Sequence, residues 1–177
     1  EALKLRPALQ LQIPAGYNRD ADRQALQIIA VDTQLNELLG NAATDEQEML
    51  TSRTRKALEK LARTQLPDFS GRELRKQFER ESPAADGSSF DEVAYIAELH
   101  LRLEQAQTVD DAQLIALAET RRTSIISQLA SQGVLEPKQL KTGSVTEAGV
   151  TDDASIRLEL SLEAVNEAQS PAKTDAP

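Results

Sequence analysis

The chain has 177 residues, a formal net charge of −9 and only 3 % aromatic residues. Nucleic-acid binding needs a cationic surface and base-stacking aromatics, so this composition argues against that function and against adsorption to anionic lipid. The chain has no cysteine, which excludes thiol catalysis, zinc–thiolate sites and disulfides and mildly favours an oxidising compartment.

The N-terminal region predicts a half-buried strand over residues 8–13, where leucine and isoleucine alternate with glutamine. Pro14 and Gly16 are expected to end this strand. Residues 1–7 are typical of the last turn of a helix, because proline disfavours helical geometry at the residue before it. The chain therefore begins inside an element, and we expect it to be a fragment with any targeting or anchoring segment upstream.

A long helical pattern follows the first strand. Apolar residues at helical spacing predict helices over 22–40 and 45–66, and Gly40 is a natural stop for the first. Ser70 and Ser89 each stand three residues before a glutamate. This is the capping-box spacing, so both serines are expected to open helices.

The pattern changes after the last helix. Residues 138–145 predict a weak strand, whereas 155–162 predict the clearest strand of the chain because apolar and polar residues alternate throughout. Residues 167–177 are rich in alanine, proline and polar residues and predict a disordered tail. Since strands and helices segregate along the chain, the sequence predicts an α+β fold, mostly helical, with helices packed on one small sheet.

The stretch LIALAETRRTSIISQLASQGV, residues 114–134, predicts an amphipathic helix with Arg121 and Arg122 in its middle. On a helical wheel both arginines border the apolar arc, so both guanidiniums start from the buried side of the helix. Two interpretations stay open. An arginine here extends its head to the edge of the core or pairs with an acid, or it binds a carboxylate through bidentate hydrogen bonds.

Several stretches resemble known bacterial envelope domains. LAETRRTSIISQLASQGVLEPKQL resembles the second helix and following turn of the OmpA-like domain, a periplasmic module that binds peptidoglycan. LQLQIPAGYN and RLELSL resemble a strand-plus-turn and the closing strand of that domain. Together with a long helical insert, LRPALQLQI, LIALAETRR and IRLELSLEA resemble the C-terminal region of large AsmA-like envelope proteins of Gram-negative bacteria.

This resemblance implies one OmpA-like domain over 1–166, with 1–20 and 108–166 as its core and 21–107 as an all-helical insertion. It implies a periplasmic location, with the parent protein anchored in the inner membrane upstream. The expected function is a non-catalytic docking or structural module in envelope maintenance or lipid transport, with an envelope protein as its partner. The alternative is a peptidoglycan-binding module whose ligand is a stem peptide.

In the OmpA-like family a turn aspartate and a helix arginine hold the diaminopimelate end of the stem peptide. Arg121 matches the family arginine. The turn aspartate falls on Asn18, or on Arg19 if the match shifts by one position, and Asp20 and Asp22 are close enough in sequence to supply the carboxylate. The resemblance therefore names Arg121, Asn18 and Asp22 as ligand-binding residues.

Other chemistry finds little support in the sequence. His100 is the single histidine, and its position on the apolar side of its helix indicates a structural role. With no second histidine and no cysteine, a zinc site or a Ser–His catalytic triad has almost no support. Neighbouring acids on a helix do not face each other, and no glycine-rich phosphate loop is present. We therefore predict no catalytic residue, metal or cofactor, and no enzyme activity.

Overall fold

The computed structural model describes residues 9–40, 47–80, 89–133, 135–149 and 156–164. These residues form a mostly helical α+β fold with a small three-stranded mixed sheet, which confirms the predicted fold class. The helical turn expected at 1–7 and the disordered tail expected at 167–177 lie outside the described residues. The elements, in chain order, are β1 Leu9–Tyr17, α1 Arg19–Leu39, α2 Gln47–Gln65, α3 Gly71–Gln77, β2 Glu79–Arg80, β3 Ser89–Phe90, α4 Glu92–Ala106, α5 Asp111–Ser131, β4 Leu140–Glu147 and β5 Ser161–Ala164.

The chain divides into two compact units. The first unit contains the described residues among 9–22 and 110–164, and the second contains those of Arg23–Val109. The sheet and α5 belong to the first unit, and α2, α3 and α4 belong to the second. The interpretation of 21–107 as an insertion into an OmpA-like domain stays a prediction.

The sheet of the first unit has the strand order β4–β1–β5. The central strand β1 is parallel to β4 and antiparallel to β5. Ile13 and Ala15 of β1 are fully buried, and α5 packs against this strand with Leu114 and Ala118 fully buried as well. The core of the first unit therefore lies where α5 meets the middle of β1.

β1 continues through Pro14 to Tyr17, so the strand end expected at Pro14 and Gly16 is wrong. The carbonyl oxygen of Tyr17 accepts a hydrogen bond from the Ala148 N–H, just beyond β4. Because successive residues of a strand direct their hydrogen-bonding groups to opposite sides, Pro14 faces away from β4. Pairing with β5 reaches only as far as Gln12, so the missing N–H of proline costs no ladder hydrogen bond there.

The strand predicted over 155–162 is wrong over most of its length, since β5 spans only Ser161–Ala164. Pro14 offers no N–H to extend the ladder beyond Gln12. The chain instead passes Gly16 so closely that a Cβ at this glycine would overlap Cδ2 of Leu158. Alternation of apolar residues predicted a strand with one buried side, but Leu160 and Leu162 are 53 % and 57 % exposed. Pro14 decides where the pairing with β1 stops.

The weak strand predicted over 138–145 is confirmed as the eight-residue strand β4. β4 carries one residue more than β1 between the pairings of Ile13 and Ala15, which makes a β-bulge. Gly143 lies in this bulge, and a Cβ there would be 3.1 Å from the backbone N and Cα of Pro14. A side chain larger than hydrogen would therefore push the two strands apart.

The second unit has its own hydrophobic core, in which α2 packs on α4. Tyr95 lies at its centre, with the rings of Phe78 and Phe90 edge-on to it. The Tyr95 hydroxyl donates to Oε1 of Glu59 at 3.2 Å. Burial and the nearby Glu59 carboxylate raise the pKa of Tyr95 to about 12, so the phenol stays neutral at any physiological pH. The buried members of this core are Val31, Leu58, Ala62, Leu74, Tyr95, Leu99 and Leu103.

Local capping signals mostly hold in the structure. Gly40 follows α1 with a φ of 64°, the left-handed conformation expected of a glycine stop. Ser70 caps α3 by accepting the N–H of Glu73 at 3.4 Å, as predicted. The cap expected at Ser89 is wrong, because that residue pairs with β2 as part of β3, and Asp91 caps α4 instead. This strand pair also interrupts the segment 21–107, which is therefore not all helical.

His100 takes a structural position in the second unit, between two carboxylates. Its Nε2 lies 2.8 Å from Oδ1 of Asp32 on α1, and its Nδ1 contacts Oε1 of Glu104 on its own helix. Burial disfavours the charged imidazolium, but hydrogen bonds to Asp32 and Glu104 outweigh it, and the pKa of His100 is raised. Protonated His100 therefore ties α1 to α4.

We expect the second unit to lose stability as the pH rises through the raised pKa of His100. A cation that gains partners on folding stabilises fully below the unfolded pKa, which is 6.5 for an unperturbed histidine, and this contribution disappears above the folded pKa. The measurement is an NMR titration of the single imidazole beside urea unfolding from pH about 5 to about 9. Asp32→Asn is the control and should lower the ring's pKa. An imidazole whose pKa is at or below that of an unperturbed histidine would contradict the prediction.

Candidate functional site

The three residues named by the resemblance meet in the first unit. Asn18 lies between β1 and α1, Asp22 lies in the first turn of α1, and Arg121 lies in the middle of α5. Arg121 binds Asp22 in a bidentate ion pair, with Nη2 2.6 Å from Oδ1 and Nη1 2.8 Å from Oδ2. The structure thus brings all three residues together, because Arg121 and Asn18 both contact Asp22.

Asp22 is the buried partner of this pair. Its side chain is only 5 % exposed, whereas that of Arg121 is 38 % exposed. Oδ2 of Asp22 also accepts the backbone N–H of Asn18 at 2.8 Å. Burial alone would raise the pKa of Asp22, but the hydrogen bonds from Arg121 and Asn18 outweigh it and lower the pKa. Asp22 is therefore ionised at neutral pH, and both of its oxygens are engaged.

Asn18 has a structural role of its own. Its Oδ1 accepts the N–H of Ala21 at 2.9 Å, which caps the first turn of α1. Its Nδ2 donates to the carbonyl of Ala148 at 3.1 Å. The amide therefore links the start of α1 to the residue after β4, and each end of it already has a partner.

Arg122 was singled out by the sequence but not assigned to the site. Its side chain is 15 % exposed, and Nη1 donates to the carbonyl of Gly143 in the β4 bulge at 2.8 Å. Its Nη2 lies 3.7 Å from Oε1 of Glu119. Burial of Arg122 and partial burial of Arg121 confirm the helical-wheel prediction that both heads start from the buried side of α5.

The shifted family match at Arg19 and the neighbouring Asp20 take no part in this cluster. Arg19 donates to Oδ1 of Asp111 at 2.7 Å and lies 3.6 Å from Glu147, and Asp20 is exposed. Of the alternatives that the sequence left open, the geometry selects Asp22 as the carboxylate facing Arg121. A helix that begins at Arg19 carries Asp22 to the buried side of its first turn.

A groove of about 420 Å³ opens beside the two arginines. One wall is α5, and the other is the segment that crosses Gly16 with Ile156 and Leu158. Sequence reasoning missed this second wall because it interpreted the segment as part of a strand. The lining residues are Gly16, Ala118, Thr120, Arg121, Arg122, Ser124, Ile125, Ile156 and Leu158.

A larger cavity of about 730 Å³ lies over the sheet and is open to solvent. Its polar lining includes Gln12, Ser144, Thr146, Arg157 and Glu159. It contains none of the predicted site residues. Within the described ranges, no group of three His, Cys, Asp or Glu side chains is placed to hold a metal ion, and no helix there is long and apolar enough to span a membrane.

We expect Asp22→Asn to lower the free energy of unfolding at neutral pH by about 1–3 kcal/mol, because the amide cannot pair with Arg121 as an ion. A carboxylate with a lowered pKa stabilises above its unfolded pKa, which is 3.8 for an unperturbed aspartate, and this contribution is lost as the pH falls through the folded pKa. Urea unfolding at pH about 7 and about 3 should therefore show the difference from the parent shrinking in acid.

The matched control is Asp20→Asn, an exposed carboxylate of the same helical turn. It should change the unfolding free energy by no more than about 0.5 kcal/mol. Equal losses in the two variants would mean that the Arg121–Asp22 pair contributes nothing specific to the fold.

Comparison of the chain with protein-family models, with curated proteins and with solved structures finds no match. The resemblance to the OmpA-like and AsmA-like families rests on the quoted stretches alone. The function that this resemblance implies is therefore a proposal.

Proposed function

We propose that the chain is a non-catalytic periplasmic docking module of an AsmA-like envelope protein, anchored upstream in the inner membrane and acting in envelope maintenance or lipid transport. The observation that carries the docking assignment is the Arg121–Asp22 ion pair. The residues that would bind peptidoglycan in a related domain are used here to hold α5 against the first turn of α1. The resemblance supplies the location and the parent protein.

The chemistry of diaminopimelate helps to distinguish docking from peptidoglycan binding. This amino acid presents both an ammonium and a carboxylate, so its site needs a free acceptor beside a donor. Asp22 is 5 % exposed with both oxygens engaged, and the side chain of Asn18 bonds at both ends. The acceptors nearest Arg121 are thus satisfied internally, which favours docking over peptidoglycan binding.

The docking surface that the sheet offers is the outer edge of β4. This strand lies at one side of the sheet and pairs only with β1 among the described strands. Because Ile13 pairs with Thr142 and directs its own groups to β4, the N–H and carbonyl of Thr142 point outward. An exposed eight-residue edge can accept an extended segment of a partner by strand addition.

Thr142→Pro should abolish docking while preserving the fold, because proline removes an outward N–H and proline is tolerated on edge strands. A photo-crosslinking residue at Val145 of the full-length parent, in its native envelope, should give a discrete protein adduct. That adduct should disappear with Thr142→Pro and persist with Thr142→Val, which keeps the N–H. The same crosslinker at exposed Thr123 is the positional control. Identical adducts in both variants would exclude the β4 edge.

Peptidoglycan binding remains the second candidate because Arg121 is 38 % exposed beside a groove. We expect no heat when the chain is titrated calorimetrically with millimolar stem peptide containing diaminopimelate. Arg121→Ala should lower the unfolding free energy by about 1–3 kcal/mol because it leaves Asp22 buried without its cation. Saturable heat that vanishes in this variant would favour peptidoglycan as the ligand.

A further inference from the structure

The groove beside α5 combines an apolar surface with unused cationic donors. Ala118, Ile125, Ile156 and Leu158 supply aliphatic surface from both walls. Its volume of about 420 Å³ lies in the range of small-molecule sites, about 300–1,000 Å³. The groove belongs wholly to the first unit and is separate from the β4 edge.

Arg121 keeps hydrogen-bonding capacity after binding Asp22. A guanidinium carries five N–H groups, and Asp22 takes one from each Nη. Among the described residues no further acceptor bonds to Arg121, so its remaining donors are available beside the groove. Since the ion pair holds the head in place, these donors are pre-oriented and lose little rotamer freedom when they bind an acceptor.

The groove presents cationic side chains although the chain is acidic. The chain carries 29 acidic side chains and a net charge of −9, yet the described lining of the groove contains two arginines and no acid. The carboxylates that neighbour these arginines, Asp22 and Glu119, do not line it. The hydroxyls of Thr120 and Ser124 donate back to carbonyls of their own helix. The groove therefore favours an anion, and it offers an ammonium group no carboxylate.

We propose that this groove binds a small apolar monocarboxylate, an alkanoate of medium chain length. The carboxylate accepts hydrogen bonds from the remaining N–H groups of Arg121, and Arg122 adds positive potential from the next position of the helix. The hydrocarbon packs on Ile125, Ile156 and Leu158. The aliphatic walls take up the hydrocarbon tail, whose burial is favourable, and the arginines supply hydrogen bonds to the carboxylate in place of water.

The test is a titration of the chain with octanoate, followed by the methyl NMR signals of Ile125, Ile156 and Leu158. We expect saturable shifts of the methyl signals of these three residues. Acetate, which has the same head without the tail, should bind at least about tenfold more weakly, because apolar burial is lost. Octylammonium, which has the same tail with the opposite charge, should cause no saturable shift.

Two variants locate the binding site. Ser124→Glu places a carboxylate on the groove lining and should weaken octanoate binding about tenfold or more by repulsion and by competition for the arginines. Thr123→Glu adds the same charge at the next exposed position of α5, outside the lining, and should leave the affinity within about twofold. Both positions are exposed, so both variants should fold.

Absence of saturable shifts with octanoate would overturn the proposal, as would equal binding of octylammonium or equal weakening by the two glutamate variants. None of these outcomes bears on docking at β4, because Thr142 and Val145 take no part in the groove. Failure of strand addition in turn leaves the octanoate titration unaffected.

Discussion

The ion pair between Arg121 and Asp22 is the contact on which the first unit depends. It joins the middle of α5 to the first turn of α1, and the same carboxylate holds the backbone N–H of Asn18. The amide of Asn18 then reaches Ala148, just after β4. Helix, turn and strand end are thus connected by one chain of hydrogen bonds around a buried carboxylate. Such a network stabilises strongly only when every member is satisfied, and here each member has its partner.

Pro14 gives the sheet its asymmetry. On the β4 side, β1 is paired from Leu11 to Tyr17, with a bulge that places Gly143 against the proline. On the other side pairing stops at Gln12, and the chain beyond it crosses Gly16 through Leu158 instead. One imino acid therefore both ends a ladder and releases the segment that becomes a wall of the groove. The groove beside α5 thus exists because the strand predicted over 155–162 does not pair with β1 along its whole length.

Local signals were enough to predict most of the helical structure and the orientation of the arginines. Gly40 and Ser70 act through neighbours within four residues, and the apolar arc of α5 is set by its own sequence. The extent of β1 and β5 was predicted wrongly, because it depends on which side of the strand Pro14 faces. The resemblance had already named Asp22. That Asp22 and not Asp20 faces Arg121 follows from α1 beginning at Arg19, before the apolar repeat starts. The strand ends and the partner of Arg121 depend on contacts between distant segments, which local sequence patterns do not record.

The hydrogen bond from Asn18 to Ala148 spans 130 residues, and this separation has a consequence during synthesis. At ribosomal rates of about 5–20 residues per second, β1 emerges roughly ten seconds before β4 exists to pair with it. Throughout that interval an apolar strand has two open edges and could template aggregation with neighbouring nascent chains. Pro14, lacking an N–H on one of those edges, interrupts the template at its centre. Pro14, which limits strand pairing in the folded sheet, thus also reduces the tendency of the nascent chain to aggregate.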